Sequence, residues 1–233
     1  DDAPGYHIII RRNKVWNNRT LVPWERTGSL SDGNGILLDV TNKKGASLNN
    51  PEGDATVTNP EKDSAEKQRA ALRPVWLNKA LIENNVSVYN GGSGIHVFRT
   101  CNVDIRNNTT YWNGSSVDYE EIFSNNSFNV TIENNVIVPR PGGRVTSNHN
   151  NQNVVWDYNI YPVEQNVLRG EHDIIADPML RNPGLDISKA DFRLCPKSPA
   201  VNAANRETAS DEDMNCRKRP AGKADMGAYE NRI

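Results

Sequence analysis

Five times the chain runs from an apolar residue through two polar or aromatic positions to an asparagine. The segments are Ile10-Arg11-Arg12-Asn13, Ile82-Glu83-Asn84-Asn85, Ile105-Arg106-Asn107-Asn108, Ile132-Glu133-Asn134-Asn135 and Trp156-Asp157-Tyr158-Asn159. The closing asparagines fall at 13, 85, 108, 135 and 159, so successive gaps are 72, 23, 27 and 24 residues. Three gaps near 24 indicate one supersecondary unit, repeated. Two residues before each apolar position stands another small or apolar one: Ile8, Ala80, Val103, Val130 and Val154. Alternate residues of a strand share a face, so both columns can point into one core. Short strands broken by Asn and Gly turns fit a coil of parallel β-strands rather than a stack of helical pairs.

The asparagine column has a physical reason. Asn tolerates left-handed backbone at a sharp bend, and its amide bonds to nearby backbone. Stacked at the strand spacing of about 4.8 Å, identical amides can bond each to the next along the axis. The next column, Arg11, Glu83, Arg106, Glu133 and Asp157, alternates in sign over its middle members. It reads as outward side chains paired across neighbouring strands, each exposed pair contributing a few tenths of a kcal/mol at roughly this order.

A further strand recurs as Gly35-Ile36-Leu37-Leu38-Asp39 and Gly94-Ile95-His96-Val97-Phe98, then loosely at Glu121-Ile122-Phe123 and Val145-Thr146-Ser147. Measured against these, the 72-residue gap holds two insertions; removing their excess leaves one ordinary coil. The excursions run about 18–31 and 41–77. Trp16 and Trp24, at the first, suit stacking on sugar rings or packing under the loop. The charged stretch from Glu61 to Arg69 in the second suits a short helix. The expected fold class is therefore all-β: a single-stranded parallel β-helix, or solenoid, of about five coils over 1–169. Residues 170–233 form an irregular tail capping its end, the whole making a single domain. Strand Tyr6 to Ile10 begins almost at once, so another chain or a further segment is expected over that end.

Bulk properties narrow the partners. A formal charge of -2 gives no general pull toward nucleic acid or anionic membrane. No run of about 18 apolar residues exists to span a bilayer. Cys195 and Cys216 share the tail and leave Cys101 over; spacing alone decides neither a bridge nor three free thiols.

The Ile-x-Asn-Asn units, Asp32-Gly33-Asn34-Gly35-Ile36, Gly92-Ser93-Gly94-Ile95-His96, and a tail carrying Ala-Asp-Pro, Ser-Pro-Ala and Asp-Met-Gly-Ala-Tyr-Glu resemble right-handed parallel β-helix proteins of the pectate-lyase-like superfamily. The resemblance covers nearly the whole chain and implies a secreted or surface protein acting on carbohydrate as lyase, hydrolase or epimerase. It brings no catalytic signature that matches residue by residue, so function must be argued from the site.

On the recurring strand Ile95 and Val97 face inward, which turns His96 and Phe98 outward. Aligning Ile36 with Ile95 and Ile122 with Val97 sets Leu37 and Glu121 beside His96, with Asp39 and Phe123 beside Phe98. Asn148 follows on the next coil, and Arg99, Arg140, Arg144 and His149 lie near strand ends. For eliminative cleavage of an acidic polysaccharide, His96 is the candidate base and Arg99 or Arg140 the cation that neutralises the uronate. Arg144, Trp24 and Asn148 are further substrate contacts, while Asp39 and Glu121 offer oxygen ligands for Ca²⁺. For hydrolysis the carboxylate pair is Glu121 with Asp39 or Asp118. A non-catalytic carbohydrate-binding or surface solenoid is the third expectation.

Overall fold

The computed structural model describes residues 5–25, 27–54, 64–65 and 76–231. The chain visits three parallel sheets in a fixed rotation. Its first round supplies β1 (Tyr6–Arg11), β2 (Lys14–Trp16) and β3 (Ile36–Asp39). The second supplies β4 (Lys79–Glu83), β5 (Val86–Val88) and β6 (Ile95–Phe98). The third supplies β7 (Cys101–Arg106), β8 (Thr109–Tyr111) and β9 (Ile122–Asn125). The fourth supplies β10 (Phe128–Glu133) and β11 (Val136–Val138), and it reaches the third sheet through bridges Ile122–Thr146 and Asn125–His149. There follow β12 (Gln152–Asp157), β13 (Ile160–Tyr161), β14 (Ile174–Ile175), β15 (Leu180–Asn182) and β16 (Asp191–Leu194).

The first sheet has the order β1-β4-β7-β10-β12, the second β14-β13-β11-β8-β5-β2, and the third β3-β6-β9. An antiparallel pair, β15-β16, stands apart. The fold is all-β with parallel sheets. The two insertions fall in the intervals 17–35 and 40–78, as the spacing requires. Apart from residues 64 and 65, the stretch Glu61 to Arg69 lies outside the described residues.

The register of the first sheet is the one the sequence columns predict. Ile8, Ala80, Val103, Val130 and Val154 are successive partners, as are Ile10, Ile82, Ile105, Ile132 and Trp156. Ile82, Val103, Ile105, Val130 and Ile132 are fully buried and join Ile36, Ile95, Val97, Ile122 and Ile137 in one core. Each such side chain stabilises the fold by roughly 1.5–3 kcal/mol.

The asparagine ladder is present and continuous. The side-chain Nδ2 of Asn13, Asn85, Asn108 and Asn135 donates to Oδ1 of the next rung at 2.9, 2.9, 3.1 and 3.0 Å. Each of these residues also donates its backbone N–H to that same oxygen. One expectation is corrected: the ladder asparagine does not carry the left-handed bend. The residue before it does, at Arg12, Asn84, Asn107, Asn134 and Tyr158, with φ between 51° and 62°. In each Asn-Asn pair the first residue turns the chain and the second satisfies the backbone at the turn.

The tail is also corrected. Past residue 170 the second sheet continues, since Ile174 and Ile175 pair with Ile160 and Tyr161. The remainder runs back along the corner between the first and second sheets instead of only closing one end. Asn134 bonds Asn205, Asn107 bonds Ser210, and Asn84 bonds Glu212, an antiparallel course beside the column of left-handed residues. Phe192, Ala228 and Tyr229 cover Val86 and Val88, while Leu194, Ala200 and Met226 cover Val136, Val138 and Ile160. Glu83 and Glu133, expected on an open face, are thereby buried. Glu83 accepts from Ser210 at 2.6 Å and pairs with Arg106 at 3.2 Å. All three cysteines are free, so Cys195 and Cys216 are not bridged. Among the described residues no helix is long and apolar enough to cross a membrane.

Candidate functional site

The outer face of the third sheet is set by its register. Leu37 and His96 are partners, as are Asp39 and Phe98. On β9, however, Ile122 pairs with Ile95, His96 with Phe123, and Phe98 with Asn125. The sequence alignment of Ile122 with Val97 is thus two residues out, and Phe123, not Glu121, lies beside His96. Two glycines bring the chain to this sheet. A Cβ on Gly35 would stand 1.9 Å from the Ser87 hydroxyl, and one on Gly94 would stand 2.7 Å from the Asn113 amide. Only glycine lets both strands start this close to the turn beneath them.

His96 lies in an aromatic cluster. Its ring stacks on Phe123 with centroids 4.2 Å apart and planes 6° from parallel, with Tyr119 at 6.1 Å and Phe98 at 6.2 Å. The residue is 7% exposed, and its buried Nδ1 has no hydrogen-bond partner among the described residues. Burial lowers its pKa to about 4, against a smaller opposing pull from the Asp32 carboxylate. At neutral pH the imidazole is therefore uncharged. The Arg99 guanidinium sits over the Phe98 ring, 5.4 Å from its centroid. Exposed Asp39 ends β3 on the same face.

Glu121 is elsewhere. It is fully buried, and its two oxygens accept from the Asn113 backbone N–H at 2.7 Å and the Asn113 Nδ2 at 2.6 Å. Asn113 in turn accepts from Asn90, and Asn90 from Asn18. Glu121 is the last rung of a further ladder, and it does not meet Asp39. Burial raises its pKa to about 8, although both bonds from Asn113 pull the other way.

The remaining candidates separate into groups. Arg140 bonds Asp118 and the Gly114 carbonyl, and Arg144 pairs with Glu120 at 2.9 Å and Asp118 at 3.8 Å. Both guanidiniums thus tie down the 114–121 loop. Asn148 is exposed and accepts from Asn151 at 2.9 Å. Trp24 is 58% exposed in a turn closed by its N–H to the Ser29 carbonyl. The structure brings together His96, Phe98, Arg99, Phe123 and Asp39, with Asp32 and Tyr119 beside them. Phe123 lies beside His96 rather than Phe98, and Asp32 and Tyr119 were missed as site residues, although the Asp-Gly-Asn-Gly run signals a tight approach to this sheet. Among the described residues no group of three His, Cys, Asp or Glu side chains is placed to hold a metal ion.

A concavity lies on the outer face of the second sheet. It encloses about 640 Å³ between Tyr111, Trp112, the 138–143 turn, 162–164 and 177–183. Sequence reasoning did not find it, because its walls come from four separate connections.

Compared with known proteins, the chain matches no family model and no curated protein.

Proposed function

We propose that this chain is a right-handed parallel β-helix of the pectate-lyase-like kind, secreted or surface-borne, which cleaves an acidic polysaccharide by β-elimination. Three parallel sheets visited in constant rotation support the fold reading, because strand-to-parallel-strand crossovers are right-handed in nearly all cases. The observation that carries the activity is the joint placement of His96, held uncharged, and Arg99, held over Phe98, on one sheet face. In that chemistry the imidazole takes the proton α to the uronate carboxylate. A carbon–carbon double bond forms, and the glycosidic C–O bond breaks with its electrons going to the leaving oxygen, which is then protonated. The guanidinium neutralises charge building on the carboxylate. A substrate carboxylate arriving beside His96 also raises its basicity toward a working value.

Incubation with uronate-containing polysaccharides tests this reading. Wild type is expected to release products with the ultraviolet absorbance of an unsaturated uronide, and His96→Ala to lose at least about a hundredfold of that rate. Release by His96→Ala at the wild-type rate would remove His96 from the chemistry. A non-catalytic carbohydrate-binding role is the second reading, favoured by the 7% exposure of His96. Binding of uronan without any product distinguishes it. Two-carboxylate hydrolysis gains no support from Glu121, whose oxygens are both engaged by Asn113.

A further inference from the structure

We propose that the cleft on the second sheet is a separate sugar-binding site, built on Trp112 and selective for a neutral saccharide. Left-handed positions recur at the corners of this fold, and asparagine is the commonest occupant of two columns: 84, 107 and 134 in one, alongside Arg12 and Tyr158, and 102, 129 and 153 in another. At the corner after the second sheet the column reads Asn17, Tyr89 and Trp112, with φ of 55°, 57° and 53°. A bulky aromatic in this region is strained where Asn or Gly would not be, and here two aromatics follow one another in the column.

Trp112 stacks on Tyr111 at 5.3 Å and 12°, with Tyr89 against it at 6.1 Å. One ring face is thereby braced, and the side chain still keeps 38% exposure at the cleft. A rigid, amphipathic ring of this kind is a platform for the apolar face of a pyranose. The cleft's volume of about 640 Å³ falls in the range of small-ligand sites.

The lining carries Asp177 and Glu164, whose partners Met179 N–H and Arg169 each engage one of their two oxygens and leave the other as a hydroxyl acceptor, and its cation, Arg140, is neutralised by Asp118. A uronate would find no uncompensated positive charge here, whereas a neutral sugar meets both the platform and the acceptors. The site is thus chemically distinct from the face that holds His96 and Arg99.

The test is calorimetric titration of the whole chain with neutral oligosaccharides (gluco-, manno- and galacto- series) and with an oligogalacturonate. These ligands, the neutral ones above all, do not depend on turnover, so failure of the elimination reading leaves the result interpretable. Trp112→Tyr is expected to keep the binding of a neutral member of the panel. Trp112→Asn, whose side chain suits the left-handed backbone, is expected to weaken it about tenfold without lowering Tm. The proposal is overturned if no neutral oligosaccharide binds wild type, or if Trp112→Asn binds as tightly as wild type. It is equally overturned if both variants lose binding in step with Tm, because Trp112 is then a packing residue.

Discussion

Removing one interior rung of the main ladder should cost far more than removing its outermost rung. Asn108 donates Nδ2 to the Ile82 carbonyl at 2.9 Å and to Asn135 Oδ1 at 3.1 Å, and its own Oδ1 accepts the backbone N–H and the Nδ2 of Asn85 at 3.0 and 2.9 Å. In Asn108→Ala the Asn135 oxygen keeps its bond from the backbone N–H at 108, and one hydrogen of Asn85 Nδ2 keeps the Ile10 carbonyl. The Asn85 backbone N–H and its second amide hydrogen lose their acceptor in a site that water does not reach. Those two donors alone, at about 1–3 kcal/mol each, give a loss of roughly 2–6 kcal/mol, and the Ile82 carbonyl loses its Asn108 donor besides. At Asn13 the outcome differs: the residue is exposed, and Asn85 Oδ1 still accepts the backbone N–H at 13 after truncation. Asn13→Ala should therefore cost less than about 1 kcal/mol. Equilibrium urea unfolding of the two variants, with m held equal, reads the difference directly. Equal losses, or a loss below about 1 kcal/mol at Asn108, would refute the claim that the stacked amides satisfy buried backbone.

Two further perturbations follow from other buried groups. Glu121 has its pKa raised from the ordinary carboxylate value to about 8 by burial, so between those limits the native state holds a proton that the unfolded chain has released. Its contribution is fully present below the ordinary carboxylate range and is lost as pH rises toward 8, with a slope approaching about 1.4 kcal/mol per pH unit. Glu121→Gln should flatten that slope in urea midpoints taken across this range, and an unchanged slope would assign it to another group. Arg219 and Glu230 form a pair at 2.9 Å in which both side chains are 2% exposed, and Arg219 also donates to Asn84 Oδ1 and to the Gly227 carbonyl. Arg219→Ala should cost roughly 3–5 kcal/mol, since it strands a buried carboxylate, and a Tm within a few degrees of wild type would contradict the network.

What the sequence made legible was whatever repeats. The first-sheet register follows from the two apolar columns, because a strand side chain that misses the core cannot be compensated locally. Two more ladders were equally legible and were passed over. Asn18, Asn90 and Asn113 each follow a main-ladder rung by five residues, and Asn102, Asn129 and Asn153 each precede one by six. The latter set is a hydrogen-bonded column as well, Asn129 to Asn102 at 2.9 Å and Asn153 to Asn129 at 2.7 Å. The β9 register failed for a physical reason. Aligning Ile122 with Val97 sets Glu121 outward beside His96, whereas the Asn113 rung draws its side chain into the turn. The tail's course along the corner could not be read at all. Its contacts with Asn84, Asn107 and Asn134 span 71 to 135 residues and follow no period.

The two long ladders end in the same way, and the ending limits where chemistry can sit. The backbone N–H of Asn159 donates to Asp173 Oδ1 at 2.9 Å, just as Asn113 donates to Glu121. Asp173 also accepts from Trp156 Nε1 at 2.7 Å, the Tyr161 hydroxyl at 2.8 Å and the Gly170 N–H at 2.9 Å. An amide at the end of a column would bring two hydrogens of its own and demand another acceptor beyond it. A carboxyl group takes the last donors and brings at most one hydrogen of its own, which Glu121 carries below pH about 8. In the second ladder the next rung by spacing would fall at residue 140, but the chain there reads Pro139-Arg140, and Glu121 folds in from the same round to fill the place. Glu121, a catalytic candidate in the sequence, thereby serves the backbone, as Asp173 does at the end of the main ladder. Without Glu121 the third-sheet face keeps His96, Arg99, Asp32, Asp39 and Tyr119 as titratable and charged groups, and a carboxylate pair there cannot draw on Glu121, whose oxygens both serve Asn113.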